Sequence, residues 1–364
     1  MNDRGPLRIG VVGAGAWSAL AHVPAVLANP HAEIGGIADR DPARLAATAD
    51  HYGIPAADRY ADHRELIAAG NLDALVIATP HATHYAIASD ALDAGLHLLV
   101  EKPFTVRSAD AHDLATRARA ANLHIVVGYT AQFTPGAIAA HELVRAGELG
   151  EVTLLSTVFA SSIEDYALGG PGADVDYTRA SPIGAPSAST YSDPALTGGG
   201  GQGLAQATHA LGMQLWVTGL RPRRVTALMA NRRAAVDLID AIAYELDNGA
   251  LGTLAATGAL GQKEAMHQEL RYFGTGGTLT QDFLSGAVVF HPSDGGPARD
   301  LMPALSEEEA TIMSAAVDCL IDLVRGASDV NRAPVEAATA AVELLEAAYR
   351  SAAQGGEPVL VGQG

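Results

Sequence analysis

A glycine-spaced run near the start of the chain has the pattern that phosphate binding needs. Ile9-Gly10-Val11-Val12-Gly13-Ala14-Gly15-Ala16-Trp17-Ser18 reads as an apolar strand, a tight turn and the start of a helix. Gly13 permits the turn. Gly15 removes a side chain where a pyrophosphate would approach, and the amides around Ala16 and Trp17 supply donors at the helix N-terminus. Ser18 stands where such turns carry a third glycine and is small enough to keep helix and strand close. Roughly 20 residues beyond the turn, Asp39 closes a second apolar run, where a carboxylate accepts hydrogen bonds from adenosine ribose hydroxyls and repels a 2′-phosphate. NAD is therefore the expected cofactor. Arg40 follows directly and would attract that phosphate, which leaves NADP open.

The elements that must hold this turn are legible around it. Leu7 to Val12, Ile34 to Ala38, Asp73 to Ala78, Leu96 to Val100 and Leu123 to Val127 are short apolar runs separated by helix-patterned segments. Asp41 is a predicted N-cap with Pro42 at the first helical position. Ser108 is predicted to cap a later helix, and Gly95 to end another. Continuous apolar strands between helices predict a parallel sheet covered on both faces. This gives an α/β Rossmann domain over residues 1–130.

The rhythm then changes. Val152 to Ala160, Val225 to Met229, Ala241 to Leu246, Gly252 to Thr257, Glu269 to Phe273, Thr278 to Asp282 and Ala287 to His291 read as strands with few helices between them. Asp247-Asn248-Gly249 and Gly274-Thr275-Gly276-Gly277 have hairpin chemistry. Residues 131–364 are thus expected to form an α+β domain with a large, mostly antiparallel sheet. Helices are predicted at Pro135 to Ala146, Gly203 to Val217, and near 307–325 and 334–353. Ser161 to Gly201 is long and rich in Gly, Pro, Ser, Asp and Tyr. A segment of that length inside a compact domain is either a functional loop or disordered.

Two further motifs carry a family resemblance. Ala78-Thr79-Pro80-His81-Ala82-Thr83-His84-Tyr85 precedes Ala94-Gly95-Leu96-His97-Leu98-Leu99-Val100-Glu101-Lys102-Pro103-Phe104, at the ends of the predicted fourth and fifth strands. The pair resembles the A-T-P-x-x-x-H and A-G-x-x-V-x-x-E-K-P segments of the Gfo/Idh/MocA oxidoreductases. Gly128-Tyr129-Thr130-Ala131-Gln132-Phe133-Thr134-Pro135 is similar to the family's entry to its second domain, with Thr130 and Gln132 replacing asparagine and arginine. Gly199-Gly200-Gly201 through His209 to Trp216 resembles its glycine-led active-site helix.

The resemblance implies hydride transfer between a nicotinamide cofactor and a hydroxyl or keto carbon of a sugar, glycoside or cyclitol. It makes Lys102 the first catalytic candidate, because an ammonium beside the substrate oxygen stabilises a developing alkoxide. His209 is the second, as a proton carrier. Thr79, Pro80, His84 and Glu101 are implied to border the cofactor. Family dehydrogenases often carry an aspartate four residues before the histidine; here that residue is Ala205, leaving Gln206 as a candidate to orient the ring. Tyr177 and Tyr191, with Asp176 and Asp193, are candidates from the long segment to reach the substrate. The glycines before His209 are read as making room for a ring substrate. Two other outcomes of the resemblance stay open: a glycoside-processing enzyme using tightly held NAD through a keto intermediate, and a non-catalytic NAD(P)- and sugar-sensing regulator.

Composition narrows the partners. A length of 364 residues favours two domains. The formal charge of −18 argues against nucleic acid and against anionic membranes. Cys319 is the single cysteine, so no internal disulfide is expected. His81 and His84 lack an evident third ligand, so no metal is expected. The N-terminus shows no secretory pattern, and no apolar run reaches the roughly 18 to 20 residues of a spanning helix. The expectation is a cytoplasmic homo-oligomer, a dimer or tetramer, acting on a small polyol, sugar or glycoside.

Overall fold

The computed structural model describes residues 5–170, 181–184, 189–261, 263–306 and 312–362. The first sheet has six parallel strands, β1 (Leu7–Val12), β2 (Ala32–Ala38), β3 (Arg59–Tyr60), β4 (Ala74–Ile77), β5 (His97–Val100) and β6 (Ile125–Val127). Their order is β3-β2-β1-β4-β5-β6. The order reverses direction between β1 and β4, which opens a crevice at the carboxyl ends of those strands. β4 is buried at all four positions, as an apolar strand with helices on both faces must be. Asp41 does cap the helix Pro42–His51, accepting from the Ala43 and Arg44 amides at 2.9 and 3.1 Å.

The second sheet has nine strands. They are β7 (Val152–Ala160), β8 (Pro222–Ala230), β9 (Ile239–Leu246), β10 (Leu251–Thr257), β11 (His267–Gly274), β12 (Gly277–Asp282), β13 (Val288–Pro292), β14 (Arg299–Met302) and β15 (Val359–Leu360). The order is β14-β13-β12-β11-β7-β10-β9-β8-β15. β7 and β10 run parallel, while the other pairs are antiparallel. β9 and β10 alternate exposed and buried residues, so one face is covered and the other open. The helices Pro135–Arg145, Thr208–Thr218 and Val335–Ala353 share the core of the covered face with Leu270, Tyr272 and Leu279.

The chain returns to the first sheet near its end. Helix Ala315–Arg325 contributes Val317, Leu320 and Ile321 to the first core, joined by Ala333 and Val342. The Val127 amide donates to Ala333 O at 3.0 Å, which covers the open edge of β6. Helix Val335–Ala353 thereby spans both cores and fixes one against the other.

Three short edge strands, β3, β14 and β15, were not expected from the sequence. Two to four residues carry too little periodicity to be read. Two expected α-helical starts are instead π-helical turns, at Ser18–His22 and Gly203–Ala207. Such widened turns concentrate at functional sites. Ser108 begins its helix but does not cap it; its hydroxyl and amide both donate to Glu346 of the last helix. The sequence placed this serine correctly in the chain and missed a partner 238 residues away.

Candidate functional site

A cleft of about 1560 Å³ runs from the glycine turn across to the second sheet. Gly13, Gly15, Ala16, Trp17, Asp39 and Arg40 border it at one end, and Thr79, Pro80, Glu101 and Lys102 at its middle. Tyr191, Gln206 and His209 border it on the second-sheet side. Of the expected site residues, His84 is not in the wall, and Tyr177 and Asp176 lie outside the described residues.

The glycine turn fits a dinucleotide. Gly13 has φ +97°, and a Cβ there would lie 2.2 Å from the Ala78 carbonyl oxygen, so the turn requires glycine. A Cβ on Gly15 would meet nothing within 4 Å, which leaves its backbone open to the cleft. A pyrophosphate can approach that bare amide closely.

Asp39 is not a free ribose acceptor. Its Oδ1 accepts from the Asp41 amide and Arg44 Nη2, both at 2.8 Å; its Oδ2 accepts from the Ala14 amide at 2.8 Å and Arg44 Nε at 2.9 Å. Four donors fill the four lone-pair sites of a carboxylate. Burial pushes the carboxyl up, but Arg44 and the two amides outweigh it and hold Asp39 below the usual carboxylate range. Arg44 also borders the cleft and was missed in the sequence. Five residues separate it from Asp39, and nothing local predicts that the two meet. Arg40 is exposed and lies 3.8 Å from Asp62.

Glu101 is buried at the middle of the cleft. Trp17 Nε1 donates to its Oε1 at 2.7 Å, His22 Nε2 lies 2.9 Å from the same oxygen, and the Lys102 amide donates to Oε2 at 3.1 Å. Burial raises the Glu101 carboxyl, yet the bond and charge of His22, then Lys102 and Trp17, pull it down to about 2. Glu101 is thus a fixed anion. A Cβ on Gly128 would stand 2.6 Å from it, which explains that glycine. His22 was missed because its partner is 79 residues away.

Lys102 follows Glu101 at the end of β5, and its bond to Pro103 is cis. Its Nζ donates to the Ala205 carbonyl at 2.9 Å. The residue that replaces the expected aspartate therefore contacts the lysine through its backbone. Burial lowers the Lys102 pKa, against an opposing pull from Glu101.

His84 supports this loop from behind. It is fully buried, with Nδ1 2.9 Å from Pro103 O and Nε2 2.9 Å from Thr79 O. The expectation that it touches the cofactor gives way to a strut between the two motifs. Gln132 is likewise buried and away from the cleft wall.

His209 presents its ring to the cleft between Tyr129 and Phe283, with centroids at 6.1 and 6.2 Å. Loss of water, and then the Lys102 charge, bring its pKa down to about 3. Gln206 borders the cleft but forms no hydrogen bond with His209 among the described residues, so it does not orient the ring. Tyr191 sits on the short helix Ser189–Ser192, 6.4 Å from the His81 ring and 5.5 Å from Tyr166. Burial raises its hydroxyl to about 12. Asp193 caps the next turn through the Ala195 amide and is structural. His81, considered at first only for a metal, borders the cleft; burial lowers its pKa well below the ordinary value.

Of the glycines before His209, none borders the cleft, and three are explained by the protein's own packing. A Cβ on Gly198 would lie 2.3 Å from Val106 Cγ1, on Gly200 2.3 Å from Tyr349 Oη, and on Gly201 2.1 Å from Asp237 O. They accommodate the protein's own packing. Phe159, Phe283 and Gln268 form the wall beyond His209, the two rings edge to face at 5.6 Å. Sequence patterning marked Phe159 only as a strand residue and did not single out Phe283 or Gln268.

Comparison with known proteins agrees with this architecture. Residues 7–129 match the Gfo/Idh/MocA oxidoreductase family, NAD-binding Rossmann fold, and residues 137–280 match the GFO/IDH/MocA C-terminal domain. The dTDP-3,4-didehydro-2,6-dideoxy-alpha-D-glucose 3-reductase of Streptomyces antibioticus is 30% identical over 281 residues, 76% of this chain and 75% of that protein. Inositol 2-dehydrogenase of Corynebacterium glutamicum (strain R) is 36% identical over 151 residues, 41% of this chain and 44% of that protein. The crystal structure of GenD2 from gentamicin A biosynthesis, in complex with NAD, has a TM-score of 0.77 and 25% identity. That match covers 100% of this chain and 98% of the other.

The Asp39–Arg44 pair yields a test of cofactor choice. Asp39→Ser leaves Arg44 at the rim with only its longer contact to Asp41, at 3.7 Å, so NADP should gain on NAD by about tenfold, which is about 1.4 kcal/mol. Arg44→Ala frees two lone-pair positions and should move the ratio the other way. Both ratios are read from titration of each dinucleotide. An unchanged ratio in both variants would detach the pair from cofactor selection.

Proposed function

The chain belongs to the Gfo/Idh/MocA family of NAD-binding oxidoreductases, and we propose that it oxidises or forms a hydroxyl on a sugar, glycoside or cyclitol. The observation that carries this reading is the meeting of Lys102, His209 and the open Gly15 amide in one cleft. NAD, held by the Gly13–Trp17 turn and bordered by Thr79, Pro80 and Glu101, supplies the hydride chemistry when bound.

The protein's own residues handle the oxygen and its proton. Lys102 Nζ keeps two donor positions beyond its bond to Ala205 O, and one of them holds the substrate oxygen. As the alkoxide develops, that contact strengthens in a site with little water to screen it. His209 is neutral above about pH 3, so its unprotonated ring nitrogen accepts the hydroxyl proton during oxidation and passes it on to solvent. Glu101 stays ionised and favours positive charge beside it. Tyr191 keeps its proton near neutrality and serves as a donor to a substrate hydroxyl. Phe159 and Phe283 offer apolar surface to the C–H faces of a sugar ring.

Leu228, Leu251, Ile239 and Val158 are exposed on strands of the open sheet, and a second copy covering that face is the reading they support, as a dimer or tetramer. No helix among the described residues is long and apolar enough to cross a membrane. A cytoplasmic location and the absence of nucleic-acid partners are supported by the single cysteine and the charge of −18.

A panel of polyols, sugars and glycosides with NAD and with NADP, followed at the reduced nicotinamide band, tests the activity. Substrate-dependent reduction is expected. Lys102→Ala should lower kcat by about 10²–10³-fold, the scale of losing one oxyanion donor, with NAD affinity within a few-fold. Near-normal turnover would make the lysine structural. A second expectation concerns pH. Because the His209 ring is uncharged above about pH 3, oxidation by the wild type should show no acidic limb from this ring between roughly pH 5 and 8, the range where an unperturbed histidine titrates. A limb centred near the ordinary histidine value that vanishes in His209→Gln would contradict the neutral ring.

A further inference from the structure

Behind the cleft, Asp237 holds the turn on which the lysine contact depends. Its Oδ1 accepts from the Gly201 amide at 2.6 Å and from Tyr349 Oη at 2.9 Å, and its Oδ2 accepts from the Gly203 amide at 2.8 Å. Its own carbonyl accepts from the Gln202 amide at 2.9 Å. One residue thus grips three successive amides at the entry to the Gly203–Ala207 turn. The absence of side chains at Gly200 and Gly203 lets the Tyr349 hydroxyl in, since a Cβ would lie 2.3 and 2.6 Å from it. The gripped turn delivers the Ala205 carbonyl to Lys102 Nζ and leads directly into the helix bearing His209.

A second carboxyl stands beside the first. Asp240 lies at the start of β9, buried, with the Asp237 carboxyl as the group that its own carboxyl meets. Asp237 from the preceding loop and Tyr349 from helix Val335–Ala353 are the ionisable groups that face it. Its neighbours on β8 and β10 are Met229 and Ala256, neither of which ionises.

We infer that Asp237, joined to Tyr349 and backed by Asp240, is the positioning residue that fixes the Gly201–Ala207 turn and, through Ala205, the Lys102 ammonium. Asp237 and Asp240 do not border the cleft, so they act through the turn and not on substrate. The anion suits the amino end of a helix. A second buried anion next to it does not, and burial, then the charge of Asp237, push the Asp240 carboxyl up to about 9. The proton on Asp240 is therefore part of the device. A carboxyl with a raised folded pKa stabilises the fold fully at low pH and loses that contribution as pH climbs from the ordinary carboxylate value to about 9.

The inference rests on the proposed oxidoreductase reading, and its test includes readouts that need no substrate. Wild type, Asp240→Asn and Tyr349→Phe are compared as full-length protein. Between pH 5 and 9, wild type should lose melting temperature relative to Asp240→Asn, and the alkaline limb of kcat should move upward in that variant. Tyr349→Phe removes one donor from Asp237; kcat should fall several-fold with NAD affinity unchanged. Lys102 and Lys263 are the only lysines in the sequence, so acetylation of each is read separately by mass. Tyr349→Phe should raise the rate at Lys102 several-fold and leave Lys263 unchanged. Melting curves of wild type and Asp240→Asn that run parallel across pH, or a Lys102 rate unmoved by Tyr349→Phe, would overturn the inference. Should Asp240→Asn fail to fold, the Tyr349→Phe rate decides alone. A wild type silent towards every polyol, with the melting and acetylation differences present, would instead overturn the functional reading.

Discussion

The hydrogen bond from Lys102 Nζ to the Ala205 carbonyl is the contact on which the site depends. It ties the end of a strand in the parallel sheet to a helix packed on the antiparallel one. An ammonium removed from water must find acceptors, or it gives up its proton. Here a single backbone carbonyl and the nearby Glu101 do that work, so both sheets must be in register for the lysine to sit at the cleft. The elements around it serve this requirement: His84 braces Thr79 against Pro103, and helix Val335–Ala353 spans the two cores.

Charge in the cleft follows from burial and pairing together. Glu101 would be neutral if burial alone acted; His22, Lys102 and Trp17 keep it ionised. For His209 the pull of Glu101 is outweighed, so burial and the Lys102 charge leave it neutral. The same low-dielectric setting thus produces an anion, a weakened ammonium and a neutral base within one cleft. A pair of unlike protonation states is what transfer of a proton alongside a hydride calls for.

Much of this was legible in the sequence because it rests on local pattern. Continuous apolar runs marked the parallel strands, the Asp247-Asn248-Gly249 turn marked the hairpin of β9 and β10, and Asp41-Pro42 marked a helix start. The glycine turn was readable because backbone geometry demands glycine there, and the Glu-Lys-Pro segment through its resemblance to the family motif. What was not legible depends on contacts between distant segments. Asp39 was correctly placed at the strand end, but Arg44 fills its lone pairs. Gly200 and Gly201 were noticed, yet their reason is Tyr349 and Asp237, more than a hundred and more than thirty residues away respectively. Ala205 looked like the loss of a ligand because sequence shows side chains, while the π-helical turn presents a carbonyl. Tyr191 and Gln206 were reached by position along the chain, and the fold brings both to the cleft wall.

The central claim is that Lys102 is a partly buried ammonium of lowered basicity poised at the cleft. With two lysines in the chain, protein labelled with [ε-15N]lysine gives two side-chain resonances, and Lys263→Arg assigns them. Titration of the Lys102 resonance measures its protonation directly, without substrate or cofactor. The account predicts a midpoint clearly below the unperturbed lysine value of about 10.4. A midpoint at or above that value would mean that the ammonium is solvated or firmly ion-paired, and would contradict the site as described.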